Sequence, residues 1–230
     1  MGMAEGLGSM RRAFAGHGTL IAHQSWLLNG NHAQAVAVRS ATRDKLQQRG
    51  IAKLTVNPET LMERGLLMEE RDYLVAQRGI CTVFIYVAPA GQDLYISRAS
   101  TVLPAISNLR IVVFSLLFLI TLFGPTFVRG LLPDTAGIVL GSLLTFITFP
   151  LWLFFIWLLI RSFIYWLREK DFWRYLRPNF LNYFNLDDLM LLEHVTDDTV
   201  RDAVEQVGLD ATKIVPPTQG YQPKQKIRAL

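Results

Sequence analysis

Two stretches of this 230-residue chain carry no charge at all, and nothing else in it limits the fold so strongly. Residues 111–128 form one run of eighteen and residues 137–160 a second of twenty-four. At about 1.5 Å per helical residue they reach roughly 27 and 36 Å, against a bilayer hydrocarbon core of about 30 Å. A transmembrane hairpin over residues 109–160 is therefore expected, with the second span tilted or protruding. The eight residues 129–136 between the runs make the spans antiparallel neighbours. Gly124-Pro125 and Pro150 are expected to interrupt them, because proline lacks the helical N–H and clashes with the preceding turn. A simple soluble protein, a disordered chain and a disulfide framework are excluded.

Charge sets the orientation. Lys and Arg number 23 against 19 Asp and Glu, a formal +4. That excess is too small and too scattered to suggest a nucleic-acid partner. Beside the spans, Arg98, Arg110, Arg161, Arg168, Lys170 and Arg174 flank the ends, and only Arg129 lies at the tip. Basic flanks stay in the cytoplasm, so both termini are expected there. The chain reads as a multi-pass integral protein of the plasma (inner) membrane of a prokaryote. Arg11-Arg12 is followed by a segment too polar for an export signal.

Residues 1–16 read as a mobile leader and residues 17–104 as an α+β domain. Residues 19–28 suit a strand ended by the Asn29-Gly30 turn, and a helix capped by Asn31 covers 32–48, stopped by Gly50. A short strand at 52–56 precedes Pro58, which suits the first position of a helical turn capped by Asn57. Residues 66–77 alternate weakly. Residues 80–88 are rich in strand formers, and Pro89-Ala90-Gly91-Gln92 turns the chain into a return strand at 93–97. Beyond the spans, residues 161–184 form an aromatic interfacial segment broken at Pro178. A helical hairpin at 185–208 follows, with Asp187 capping one helix and Thr196 or Asp197 the other. Residues 209–230 read as a flexible tail. The expected fold class is an α+β cytoplasmic N-terminal domain plus a two-helix transmembrane hairpin and a small α-helical C-terminal region.

Chemistry is sparse. The four histidines have no metal-ligand spacing, the single Cys81 lies in an apolar run, and no nucleophile elbow is present. No catalytic, metal-binding or cofactor-binding residue, and no enzyme activity, is expected. Asp93, Tyr95 and Ser97 share one face of a strand and form a candidate partner-binding face. Gly137, Gly141 and Thr145 make a small-residue stripe suited to helix packing in a membrane. Arg161, Tyr165, Trp166, Arg168, Trp173 and Arg174 are candidate membrane-interface anchors. Intramembrane charges mark transport pathways, and the two runs hold none. The expected function is a membrane-anchored adaptor or scaffold, with an oligomeric pore-forming or bilayer-disrupting effector as the alternative. The expected partners are the lipid bilayer and either a protein partner or further copies of the chain.

Overall fold

The computed structural model describes residues 14–63, 69–131, 134–178 and 183–214. Most of the 1–16 leader and the tail from residue 215 lie outside the described residues. The chain divides into two compact units, residues 1–104 with 179–230, and residues 105–178.

The first unit is an antiparallel sheet of β1 (Thr19–Leu28), β2 (Thr55–Glu63), β3 (Glu69–Arg78), β4 (Cys81–Ala90) and β5 (Asp93–Val102), in spatial order β1-β5-β4-β3-β2. Strand β4 is central and buried on both sides for most of its length, which explains its continuous apolar sequence. A two-residue turn at Gly91-Gln92 joins β4 to β5, with Ala90 opposite Asp93. Pro89 lies within β4, opposite Leu94.

One expectation fails at β2 and one at β5. Pro58 does not start a helical turn; it lies within the strand, opposite Leu74. The strand is at the sheet edge, where a residue without an N–H leaves no ladder bond broken on the outer side. Strand β5 also runs to Val102, well past the expected 97.

Helix α1 (Ala35–Gln48) is entered through a short 3-10 turn at His32–Gln34 rather than a side-chain cap. The Asn31 amide donates to the Asn29 carbonyl at 2.8 Å. Helix α4 (Tyr183–Gln206) is one continuous helix, so the expected helical hairpin at 185–208 is corrected. No Gly or Pro lies between its ends, and Thr196 and Asp197 are mid-helix rather than caps. Its buried stripe of Leu189, Leu192, Thr196, Val200, Ala203 and Val204 follows the 3.6-residue period.

Helices α1 and α4 supply one core with a single face of the sheet. Val38 and Leu46, then Leu192, Val200 and Val204, meet Leu28, Val83, Ile85, Leu94, Ile96 and Val102. Residues on both sides of the apolar helices in sequence therefore share one core. Ala211 and Ile214, at the start of the segment read as tail, are buried in it as well. The opposite face carries a smaller cluster of Leu61, Tyr73, Val75, Phe84 and Ala99. Phe14, from the end of the segment read as leader, packs on it with ring centroids 4.7 Å from Phe84.

The second unit holds α2 (Asn108–Leu131) and α3 (Asp134–Glu169). Pro125 and Pro150 sit inside these helices, and neither breaks them. The helices are antiparallel: Phe118 meets Trp152 and Phe155, and Gly124 faces Leu144 near the other end. Helix α3 does not run on to Pro178. It ends at Glu169, where Lys170 takes a left-handed φ of 53°. Both helices are long and apolar enough to cross a membrane, and only 6% of each apolar stretch is buried.

Candidate functional site

Among the described residues, a polar cluster links α4 to β5. Alternation along β5 sends Leu94, Ile96, Arg98, Ser100 and Val102 to the helix-covered face. Arg98 is only 3% exposed and is the one charged residue in that series. Its Nε lies 3.2 Å from Asp197 Oδ1, close enough for an ion pair but short of hydrogen-bond geometry. Its Nη1 lies 3.8 Å from Glu193 Oε2, and its Nη2 donates to Gln24 Oε1 of β1 at 3.3 Å. Glu193 and Asp197 are one turn apart on α4, at the edge of its apolar stripe. One guanidinium thus holds the C-terminal helix against two strands of the N-terminal sheet.

Burial is the first cause of the raised pKa of Asp197, pushed up to about 6. The Arg98 charge opposes that rise, while Glu193 and Asp198 add to it. Two peripheral pairs fasten the same helix: Arg78–Asp188 at 3.2 Å and Arg49–Asp202 at 2.9 Å. The fully buried Cys81 thiol donates to the Asn185 carbonyl at 3.4 Å, and burial pushes its pKa up to about 11. A thiol so protonated is a packing group, not a nucleophile. Asp187 and Asp197 were expected as caps; Asp197 instead pairs with Arg98, and Asp188, beside Asp187, pairs with Arg78 of the sheet.

Arg98 was expected at the membrane flank, and its burial removes it from that set. The missed signal was the carboxylate pair at 193 and 197 beside an apolar stripe with no breaker.

Asp93, Tyr95 and Ser97 do share the face opposite the helices. Asp93 Oδ1 accepts from the Gly30 N–H at 2.8 Å, closing the turn after β1. Ser97 is buried, while Tyr95 is half-buried, 6.2 Å from the Tyr86 ring. In α3, Gly137 and Gly141 are buried and Thr145 is exposed. The Arg129 side chain lies across Gly141, where a Cβ would meet its Cγ. Arg129 Nη2 also donates to Ser142 Oγ at 3.4 Å, and Thr145 Oγ1 donates to the Gly141 carbonyl at 2.7 Å.

The interface candidates gather beyond the second apolar run. Arg161 stacks on Trp157 at 4.9 Å, Arg174 lies over Tyr165 at 5.0 Å, and Arg174 Nη1 pairs with Glu169 Oε2 at 2.6 Å. Trp166 packs on Phe163 and Trp173 on Phe172, and Arg168 is in the last turn of α3. Arg110, in the first turn of α2, donates to the carbonyls of Tyr175 at 3.2 Å and Arg177 at 2.6 Å. Arg177 in turn pairs with the buried Asp171 at 3.1 Å. Among the described residues, no group of three or more His, Cys, Asp and Glu is arranged to hold a metal ion.

No protein family, curated protein or solved structure matches this chain.

Proposed function

We propose that this chain is a two-span integral membrane protein whose hairpin anchors a cytoplasmic α+β domain, and that the domain acts as a non-enzymatic adaptor or scaffold for a protein partner. The observation that carries the anchoring is the shared core. Segments before and after the apolar helices pack together, so they lie on one side of any bilayer the helices cross. The apolar helices expose Phe146, Phe149, Leu153 and Ile156, which suits lipid contact. Basic residues gather at the domain end of the helices, with Arg129 at the other, which favours a cytoplasmic domain. A prokaryotic plasma membrane fits that charge bias. The adaptor role rests on the apolar spans, which lack the buried charges of a transport path.

Two measurements test this reading. The first is alkaline extraction of membranes, with labelling of a cysteine placed at either terminus. Release by alkali, or labelling of the termini from opposite sides, would end the anchor reading. The second is purification in nanodiscs, read by mass. A stoichiometric foreign protein is expected. A homogeneous homo-oligomer that releases dye from liposomes would replace the adaptor with the effector.

A further inference from the structure

We infer that the end of α3 and the segment after it form a binding site for the phosphate of an anionic lipid headgroup. Five side chains stand in series. Arg161 lies 4.9 Å over Trp157, Trp157 is 6.5 Å from Tyr175, Tyr175 is 5.7 Å from Tyr165, and Arg174 lies 5.0 Å over Tyr165. A guanidinium therefore closes each end of a three-ring ladder. The Tyr175 hydroxyl is enclosed and has no hydrogen-bond partner among the described residues. A buried hydroxyl normally finds a partner, and this orphan lies on the ring between the two arginine-stacked rings, where an acceptor from outside the chain would satisfy it. Phosphate oxygens fit, as acceptors for one hydroxyl and for guanidinium forks held by their rings.

Charge agrees with that ligand. Arg161 has no carboxylate partner among the described residues, and its neighbour on the same helix face, Arg168, also has none. Glu169 engages one N–H of Arg174, and a guanidinium has five.

Depth agrees as well, and here the inference rests on the spanning hairpin proposed above. From Gly137 to Trp157 is twenty residues, about 30 Å of helix, which equals the hydrocarbon thickness. Arg161 then stands about 6 Å further out, within a headgroup layer of roughly 5–8 Å. Arg161 is thus held at the level of lipid phosphates, and Tyr165, eight residues past Trp157, stands about 12 Å out, on the water side of that layer.

The test is native mass spectrometry of the full chain released from nanodiscs of equal phosphatidylglycerol and phosphatidylcholine. Phosphatidylglycerol should be retained over phosphatidylcholine by about tenfold. The preference should fall to parity in the Arg161→Gln, Arg174→Gln double variant. It should weaken in Tyr175→Phe, which keeps every ring. Equal retention of the two lipids by the native chain would overturn the proposal. So would full preference in the Arg161→Lys, Arg174→Lys variant, since charge without the ring-held fork would then suffice. Displacement of the lipid by millimolar inorganic phosphate would assign the site to a free anion and equally overturn the lipid reading. A chain that never enters the nanodisc would instead refute the spanning hairpin itself.

Discussion

The α+β unit and the helical unit are built from similar apolar residues but place them in opposite ways. In the first, Leu28, Leu46, Phe84, Ile85, Leu94, Ile96 and Leu192 are almost wholly enclosed. In the second, Leu158 is buried, but Phe146 is 83% exposed and most of its large neighbours are half-exposed or more. Charge is reversed too. The α+β unit buries Arg98 with Asp197, while the apolar runs hold no charge. A core closed against water tolerates a paired charge because two helices and a sheet can surround it. Helices with little of their surface covered by protein have no such shelter, so their sequence excludes the charge instead.

The contrast breaks most visibly at Arg98. Arg98→Met leaves Asp197 and Glu193 facing an apolar side chain and should cost about 4 kcal/mol, as expected for half of a buried pair. Arg161→Gln, at a cation exposed to solvent or headgroups, should cost under about 1 kcal/mol. Denaturant unfolding of the full chain in detergent, followed by near-ultraviolet circular dichroism, compares the two. Equal losses would show that Arg98 is no more buried in solution than Arg161.

Apolar truncation sharpens the same contrast. Leu192→Ala should destabilise by about 3 kcal/mol, because α4 and the sheet close around that side chain. Phe146→Ala should change stability by less than about 0.5 kcal/mol in detergent. A large loss from Phe146→Ala would mean that protein, not lipid, covers that face, and would favour an oligomer.

Legibility follows the same division. The apolar runs were readable because eighteen and twenty-four successive uncharged residues stand out whatever the register. Strand β4 was readable from composition alone. Strand β2 was not, because Pro58 suits a helix start and an edge strand equally, and only the sheet order decides. The Arg98 cluster was hidden for a related reason. Arg98 lies beyond the expected end of β5, and its partners Glu193 and Asp197 are about a hundred residues away. No local pattern shows that an arginine shortly before an apolar run points inward. Asp197, read as a cap, needed α4 to be continuous before it could face the sheet.

Asp197 also predicts a pH dependence. Its folded pKa is raised from 3.8 to about 6, so the folded state holds the proton more tightly than the unfolded chain. The resulting stability is fully present below about pH 4 and is lost as pH rises through about 6. The shift is roughly two units, worth between about 2 and 3 kcal/mol. Asp197→Asn should flatten the slope of stability between pH 4 and 6.5, whatever its effect on the absolute value. An unchanged slope would assign the titration elsewhere.

Two glycines, one in each unit, extend the contrast to the backbone. Gly18 precedes β1 at φ +92°, and a Cβ there would run into the Val102 carbonyl, which is backbone and cannot swing aside. Gly141 carries no such φ, and its Cβ would meet only the Arg129 side chain. Gly18→Ala should therefore cost about 2 kcal/mol, combining the left-handed penalty with the backbone clash. Gly141→Ala should cost less than about 1 kcal/mol, since Arg129 has rotamers to spare. Resistance to unfolding in rising dodecyl sulfate measures both. A larger loss at Gly141 would mean that Arg129 is pinned at the helix ends, and that the tip of the hairpin is as tightly specified as the start of the sheet.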